Sequence, residues 1–227
     1  MIPSVPSYVI PGTYAENLRF LEDKPEVEGV ELLFYLWDPE VEDLLDRELP
    51  EIRSFSSRFR FTAHLPDRIR PEHRRILDRI GDLARSFVVH PPADLDGLPG
   101  FADLIVAWRR EFGDRFFLEN LRTEPFERAL EALPEIPLCL DAGHLLAEGK
   151  APADRIGRLR EGGRRIEELH LHGIADGRDH RPFGPEAPWL RDLVPFLSGF
   201  PGVAEVELFD WEEARTALSA IRTSVRS

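Results

Sequence analysis

Eight short runs rich in Val, Ile, Leu and Phe alternate with longer segments of helical period along the 227 residues, and this rhythm restricts the fold more than any other feature. Repeated strand and helix units lay parallel strands side by side with their helices outside. The strands are predicted over 7–10, 29–34, 59–64, 86–90, 115–120, 137–141, 166–172 and 204–209. Helices are predicted over 13–23, 39–54, 71–85, 101–112, 125–133, 152–161, 188–197 and 211–222. Thr13 and Glu16 stand at capping-box spacing, Val41, Leu44, Leu45 and Leu49 repeat on one face, and several helices open on proline. Strand and helix in eightfold alternation predict closure into an α/β fold, a single (β/α)8 TIM barrel. An open doubly wound sheet would carry a Gly-rich first turn, and Pro11-Gly12-Thr13 is not G-x-G-x-x-G.

With 42 % hydrophobic residues the chain supports one well-buried core, so 1–227 is read as one domain. The 20 prolines fall between apolar runs and punctuate a compact fold. No stretch reaches the ~18 apolar residues of a membrane span, and Met1-Ile2-Pro3-Ser4 opens no basic and apolar leader, so a cytoplasmic protein with no membrane partner is expected. Cys139 is the only cysteine, which excludes an internal disulfide and leaves His, Asp and Glu as metal ligands. The net charge of -13 disfavours a nucleic-acid partner, because phosphate-backbone binding draws on Lys and Arg.

Six of the seven histidines, His64, His90, His144, His170, His172 and His180, lie at or just past the carboxyl end of a predicted strand. In a barrel those ends face one mouth, where residues distant in sequence converge. Glu119, Asp141 and Glu207 end strands five, six and eight at the same level. Carboxylates there are costly unless paired or bound to a cation, and imidazoles with carboxylates, free of Lys and Arg, form the donor set of Zn2+, Mn2+ or Fe2+. Asp141 and His144 are spaced to leave a strand and turn back over the mouth. His170 and His172 share a side by strand period two, as do Glu205 and Glu207.

The ordered series Phe61-Thr62-Ala63-His64, Val88-Val89-His90, Leu118-Glu119-Asn120, Leu140-Asp141-Ala142-Gly143-His144, Leu169-His170-Leu171-His172, Asp179-His180 and Glu207-Leu208-Phe209 resembles the xylose isomerase-like TIM barrel superfamily. In order it is similar to the endonuclease IV (AP endonuclease family 2) branch. That resemblance implies two or three divalent ions. His64, His90 and Glu119 would hold one. Glu119 would bridge to a second held by Asp141, His170 and Glu207, and His144 and His180 would serve a third. The family has Asp two positions before the last histidine, where this chain has Arg178, so the third site is lost or recruits Asp179 or Asp176. Over the first third, Ser7-Tyr8-Val9-Ile10-Pro11, Asn17-Leu18, Val30-Glu31-Leu32-Leu33-Phe34 and His64-Leu65-Pro66 are similar to the cobamide-remodelling phosphodiesterases, which would put Glu31 near the mouth as a substrate contact.

Other residues carry plainer readings. His73 reads as a solvated helix residue, Cys139 as a small core residue, and Glu205 as structural or exposed. His172 is either a substrate contact or a donor that orients a ligand. Arg122, Arg178 and Arg181 fall on loops at the mouth, where they either clamp a phosphate or are simply solvated. Of the four tryptophans, Trp37 is the one placed to line a pocket.

The leading functional expectation is hydrolysis of a phosphodiester in a small substrate, cobamides among the candidates, with Glu119 and Glu207 as catalytic residues. The alternative is metal-dependent isomerisation or epimerisation of a sugar or sugar phosphate, with the same two glutamates exchanging protons. A barrel that binds metal or ligand without turnover is the third.

Overall fold

The computed structural model describes residues 1–226. Eight parallel strands close into a barrel: β1 (Ile2–Pro6), β2 (Gly29–Leu33), β3 (Arg60–His64), β4 (Ala84–Val89), β5 (Phe116–Glu119), β6 (Leu138–Asp141), β7 (Ile166–Leu171) and β10 (Val203–Val206). Around them run α1 (Tyr14–Leu21), α2 (Pro39–Ser54), α3 (Arg74–Ile80), α4 (Leu98–Phe112), α5 (Thr123–Ala132), α7 (Pro152–Glu161), α8 (Pro188–Leu197) and α9 (Trp211–Arg226), while the short α6 (Ala142–Ala147) lies over the mouth after β6. The chain thus has the (β/α)8 TIM-barrel fold. Among the described residues, no helix is long and apolar enough to cross a membrane.

Strand alternation sorts the side chains into two cores. Leu32, Phe34, Phe61, Phe87, Phe116 and Leu140 are fully buried against the helices, and each such side chain contributes roughly 1.5–3 kcal/mol by leaving water. The opposite faces point into the barrel, as contacts between non-adjacent strands show. His64 on β3 meets Glu119 on β5, and Ser86 on β4 donates to Glu168 on β7.

Two expectations need correction. The first strand is Ile2–Pro6, not residues 7–10, which form the bend leading to α1. Pro3 and Pro6 disguise it by lacking an N–H, yet Pro3 still accepts from Glu28 N at 2.9 Å, and β1 pairs with both β2 and β10. His73 is buried rather than solvated. The predicted helix 71–85 opens instead as a short 3-10 turn that carries the imidazole inward, where Nδ1 accepts from Arg70 N at 3.2 Å.

The short α6 went unpredicted, and so did a hairpin. After β7 a hairpin of β8 (Gly173–Ala175) and β9 (Arg178–Arg181) stands apart from the barrel sheet. Its turn is Asp176-Gly177, both at positive φ (54° and 70°), the conformation that two-residue hairpins favour and that Asp-Gly supplies at low cost.

Candidate metal centre

Glu119 ends β5 and four imidazoles face it. His64 Nε2 and His90 Nε2 lie 3.1 Å from Oε2, His170 Nδ1 lies 3.6 Å from the same oxygen, and His144 Nδ1 lies 3.4 Å from Oε1. The carboxylate is almost completely buried. Burial alone would raise its pKa, but His90 and His170 reverse the balance and hold it well below the usual range. Burial likewise pulls His90 and His144 down, and the carboxylates outweigh it. Glu119 and Asp67 lift His90 to about 10, and Asp141 and Glu119 lift His144 to about 9.

Asp141 closes the next strand and caps α6, its Oδ1 accepting from His144 N at 2.5 Å. This N-cap is why Asp141 and His144 lie together at the mouth. Asn120 fixes Asp141 from the other side by mimicking a peptide. Its Oδ1 accepts from Asp141 N at 2.8 Å and its Nδ2 donates to Asp141 O at 3.0 Å. Glu207, just past β10, has His170 Nδ1 and His180 Nε2 each 3.5 Å from Oε2, and Tyr35 Oη donates to its Oε1 at 2.9 Å. Burial raises the Glu207 pKa, and hydrogen bonding from His170 and His180 brings it well below the usual range.

The hairpin delivers His180 with φ at 50°, a left-handed conformation costing on the order of 1 kcal/mol for a residue with a Cβ. The strain stacks its ring on His172 at 4.2 Å between centroids. His144, His172 and His180 form a group able to share an ion, and Asp179 Oδ1, next to Arg178, approaches His180 Nδ1 at 3.4 Å. His172 Nδ1 accepts from His180 N, which leaves Nε2–H directed at Asp141. Its role as a donor that orients a ligand therefore fits the geometry better than substrate contact. Arg178 is exposed on β9 and Arg181 half-buried, and among the described residues no hydrogen bond or ion pair joins either to this cluster.

Two further residues, Glu31 and Trp37, sit differently from expectation. Glu31 is fully buried inside the barrel rather than at the mouth, whereas Glu205, fully buried too, fits the structural of its two readings. His170 spans both levels: Nδ1 faces Glu119 and Glu207, while Nε2 lies 3.6 Å from Glu31 Oε1 and 3.9 Å from Glu205 Oε2. Trp37 packs its ring on Phe34 and against the core, and Tyr35 takes the place at the mouth. Tyr35 and Asn120 are the residues sequence reasoning passed over, although both follow a strand end just as the histidines do.

The donor set suits divalent cations. His90, His144 Nδ1, His170 and Glu207 Oε2 are buried without an aligned hydrogen bond although partners of opposite charge stand close. At the mouth the donor atoms of His64, Glu119 and His170, those of Glu119, Asp141 and His144, and those of Asp141, His172 and Glu207 each lie within 4.8 Å of one another, spacings that an ion could bridge. Two clefts flank the mouth. One of about 740 Å3 opens onto His90 and includes Arg68 and Arg70; the other, about 540 Å3, is apolar and lined by Tyr8, Tyr35, Leu36 and Phe209.

Comparison with solved structures places the fold. A D-tagatose 3-epimerase-like protein matches with TM-score 0.71 at 17 % identity, covering 100 % of this chain and 97 % of its own. The 3-keto-D-glucoside 4-epimerase of E. coli matches with TM-score 0.65 at 16 % identity, and both chains are covered completely. Endonuclease IV from Thermus thermophilus matches with TM-score 0.59 at 15 % identity, covering 100 % and 99 %. At these identities the likeness is one of fold alone, the (β/α)8 barrel. It carries nothing on the narrower cobamide resemblance. No protein-family model and no curated protein matches the chain.

Proposed function

We propose that this chain is a divalent-metal-dependent enzyme acting on a small polar substrate at the barrel mouth. The observation that carries the reading is Glu119, a buried carboxylate with imidazoles ranged against both of its oxygens. His64, His90 and Glu119 are assigned to one ion, and Glu119, Asp141, His170 and Glu207 to a second. His144 and His180 are assigned to a third. Bound Zn2+, Mn2+ or Fe2+ supplies Lewis acidity, stabilising charge on phosphoryl or carbonyl oxygens and acidifying water. The chain's own residues do the positioning. Tyr35 holds Glu207, His172 and Asn120 hold Asp141, and the two clefts offer Arg68 and Arg70 to an anionic group and aromatic side chains to an apolar one.

Two reactions fit this site. Hydrolysis of a phosphate ester is supported by His64 and His90, which add ligands beyond the two Glu, one Asp and one His that a single ion needs. Isomerisation or epimerisation of a sugar, with Glu119 and Glu207 as acid and base, is supported at least as well by the epimerases among the structural neighbours. Ions bound at the mouth, counted by elemental analysis without added metal or a histidine tag and located by anomalous difference maps, separate them. Two or three ions at the mouth with turnover of phosphodiesters favour hydrolysis; one ion at the mouth with turnover of sugars favours epimerisation. Stoichiometric metal without turnover of either panel refutes both.

Nucleic acid is not the proposed substrate, on the strength of the net charge of -13. Salt-sensitive binding of an abasic duplex at micromolar protein would overturn that.

A further inference from the structure

Below the mouth, a barrel of this kind is ordinarily filled by branched apolar side chains. Here Glu31 on β2, Glu168 on β7 and Glu205 on β10 converge instead, each fully buried, with Ser4, Thr62 and Ser86 among them. Ser86 Oγ donates to Glu168 Oε2 at 3.0 Å, whereas Glu168 Oε1 and both oxygens of Glu31 and of Glu205 have no well-aligned hydrogen bond among the described residues; Glu31 and Glu205 face each other, and Thr62 lies beside Glu168. No Lys or Arg is buried with them. Carboxylates in such surroundings cost several kcal/mol each unless a cation or protons neutralise them.

A second observation points to a cation. His170 Nε2 is fully buried, has no hydrogen-bond partner, and is aimed into the group, 3.6 Å from Glu31 and 3.9 Å from Glu205. Thr62 Oγ1 and Ser4 Oγ, on the same inner face, are buried without a well-aligned hydrogen bond as well. One donor atom from each of Glu31, Glu168, His170 and Glu205 lies within 4.8 Å of all the others. Ligands bonded to one ion at about 2.0–2.2 Å stand at most about 4.4 Å apart, so rotamer adjustments of a few tenths of an ångström close the sphere.

We propose that the barrel interior is a second, separate cation site in which Glu31, Glu168, Glu205 and His170 Nε2 bind a divalent ion. Three carboxylates with one imidazole and hydroxyls nearby form an oxygen-rich set suited to Mn2+ or Fe2+. His170 turns its other nitrogen to the mouth. With ions at both levels His170 would give up both ring protons to solvent and lend one nitrogen to each site, so the deep ion would couple to the mouth through one side chain.

The test is an anomalous difference map, recorded at the manganese edge, of the full chain crystallised with Mn2+. Protein refolded with Mn2+ is included, so that burial does not bar entry. A peak enclosed by Glu31, Glu168 and Glu205 is expected, distinct from peaks at the mouth. Glu168→Gln and Glu205→Gln should abolish that peak and remove one ion per chain while the mouth peaks persist. Glu119→Gln should do the reverse. Mouth peaks with no deep peak in the unaltered chain overturn this inference alone, and need no variant to fold. A deep peak with none at the mouth supports it and counts against the proposed enzymatic centre. No peak at either level overturns both.

Discussion

His172 donates from Nε2 to Asp141 Oδ2 at 3.1 Å while its Nδ1 accepts from His180 N at 2.9 Å. The backbone N–H of the hairpin thereby fixes the tautomer of a ring in the barrel, and the ring fixes a carboxylate. Asp141 Oδ1 is held independently by His144 N. Both oxygens are thus oriented without a cation, an arrangement that lowers the cost of organising ligands when one binds.

Gly143 gives this relationship a test that removes no ligand. A Cβ at that position would fall 2.0–2.4 Å from three atoms of the His172 ring, so Gly143→Ala must push the ring away from Asp141. Metal affinity is expected to fall roughly 10- to 100-fold, the range for losing a ligand's supporting partner. Competition against a chelator measures it. Affinity equal to that of the unaltered chain would show that His172 does not hold Asp141.

Glu119→Gln separates ion loss from fold loss. The amide is nearly isosteric, so packing around β5 is kept, but the charge facing four imidazoles is gone. Bound metal is expected to drop by at least one ion per chain, and turnover by roughly two to four orders of magnitude, with the circular dichroism spectrum unchanged. Full metal content in this variant would sink the assignment of Glu119 as the bridge.

Tyr35→Phe asks what the phenol does for Glu207. The Tyr35 ring is partly exposed but its hydroxyl is shielded from water, and this, with Glu207 and Glu31 nearby, pushes its pKa upward, so the group remains a donor through the neutral and alkaline range. A hydrogen bond to a charged acceptor contributes about 1.5–3 kcal/mol, so its loss should cost roughly 10- to 100-fold in kcat/KM. The ring stays against His64, at 5.3 Å between centroids, so thermal stability should change little. Equal kcat/KM in the two proteins would leave Tyr35 without a role at the centre.

The mouth was readable in the sequence because barrel geometry turns strand ends into one place. His64, Glu119, Asp141 and Glu207 each terminate an apolar run, and topology alone brings them together. The level beneath was far less legible. Glu168 and His170 share a face by period two, as do Glu205 and Glu207, but strand period does not say how deep a residue lies. The depth came from register: Glu205 pairs with His170, and Glu31 with Thr62. The first strand was misplaced because prolines argue against a ladder unless the neighbours are known. Asp176-Gly177 was a local hairpin signal overlooked in favour of the βα rhythm.

Proton release on metal loading tests the imidazoles directly. With Glu119 and Asp141 outweighing burial, His90 sits at about 10 and His144 at about 9, so both are imidazolium at pH 7 in the metal-free protein. A nitrogen must lose its proton to bind a metal, so each ion that takes one of these nitrogens displaces a proton, and metal affinity should climb as pH rises toward those values. Calorimetry in two buffers of different ionisation enthalpy should show more than one proton released per chain at pH 7. The sign for stability runs the other way. Between the unfolded pKa near 6.5 and these raised values the native state binds more protons than the unfolded one. The metal-free fold therefore has the full contribution of both imidazoles below about pH 6.5 and loses it as pH climbs through 9 and 10, whereas the loaded protein, with neutral ligands, should not weaken in that window. Metal binding without proton release, together with no alkaline weakening of the metal-free chain, would remove His90 and His144 from the centre.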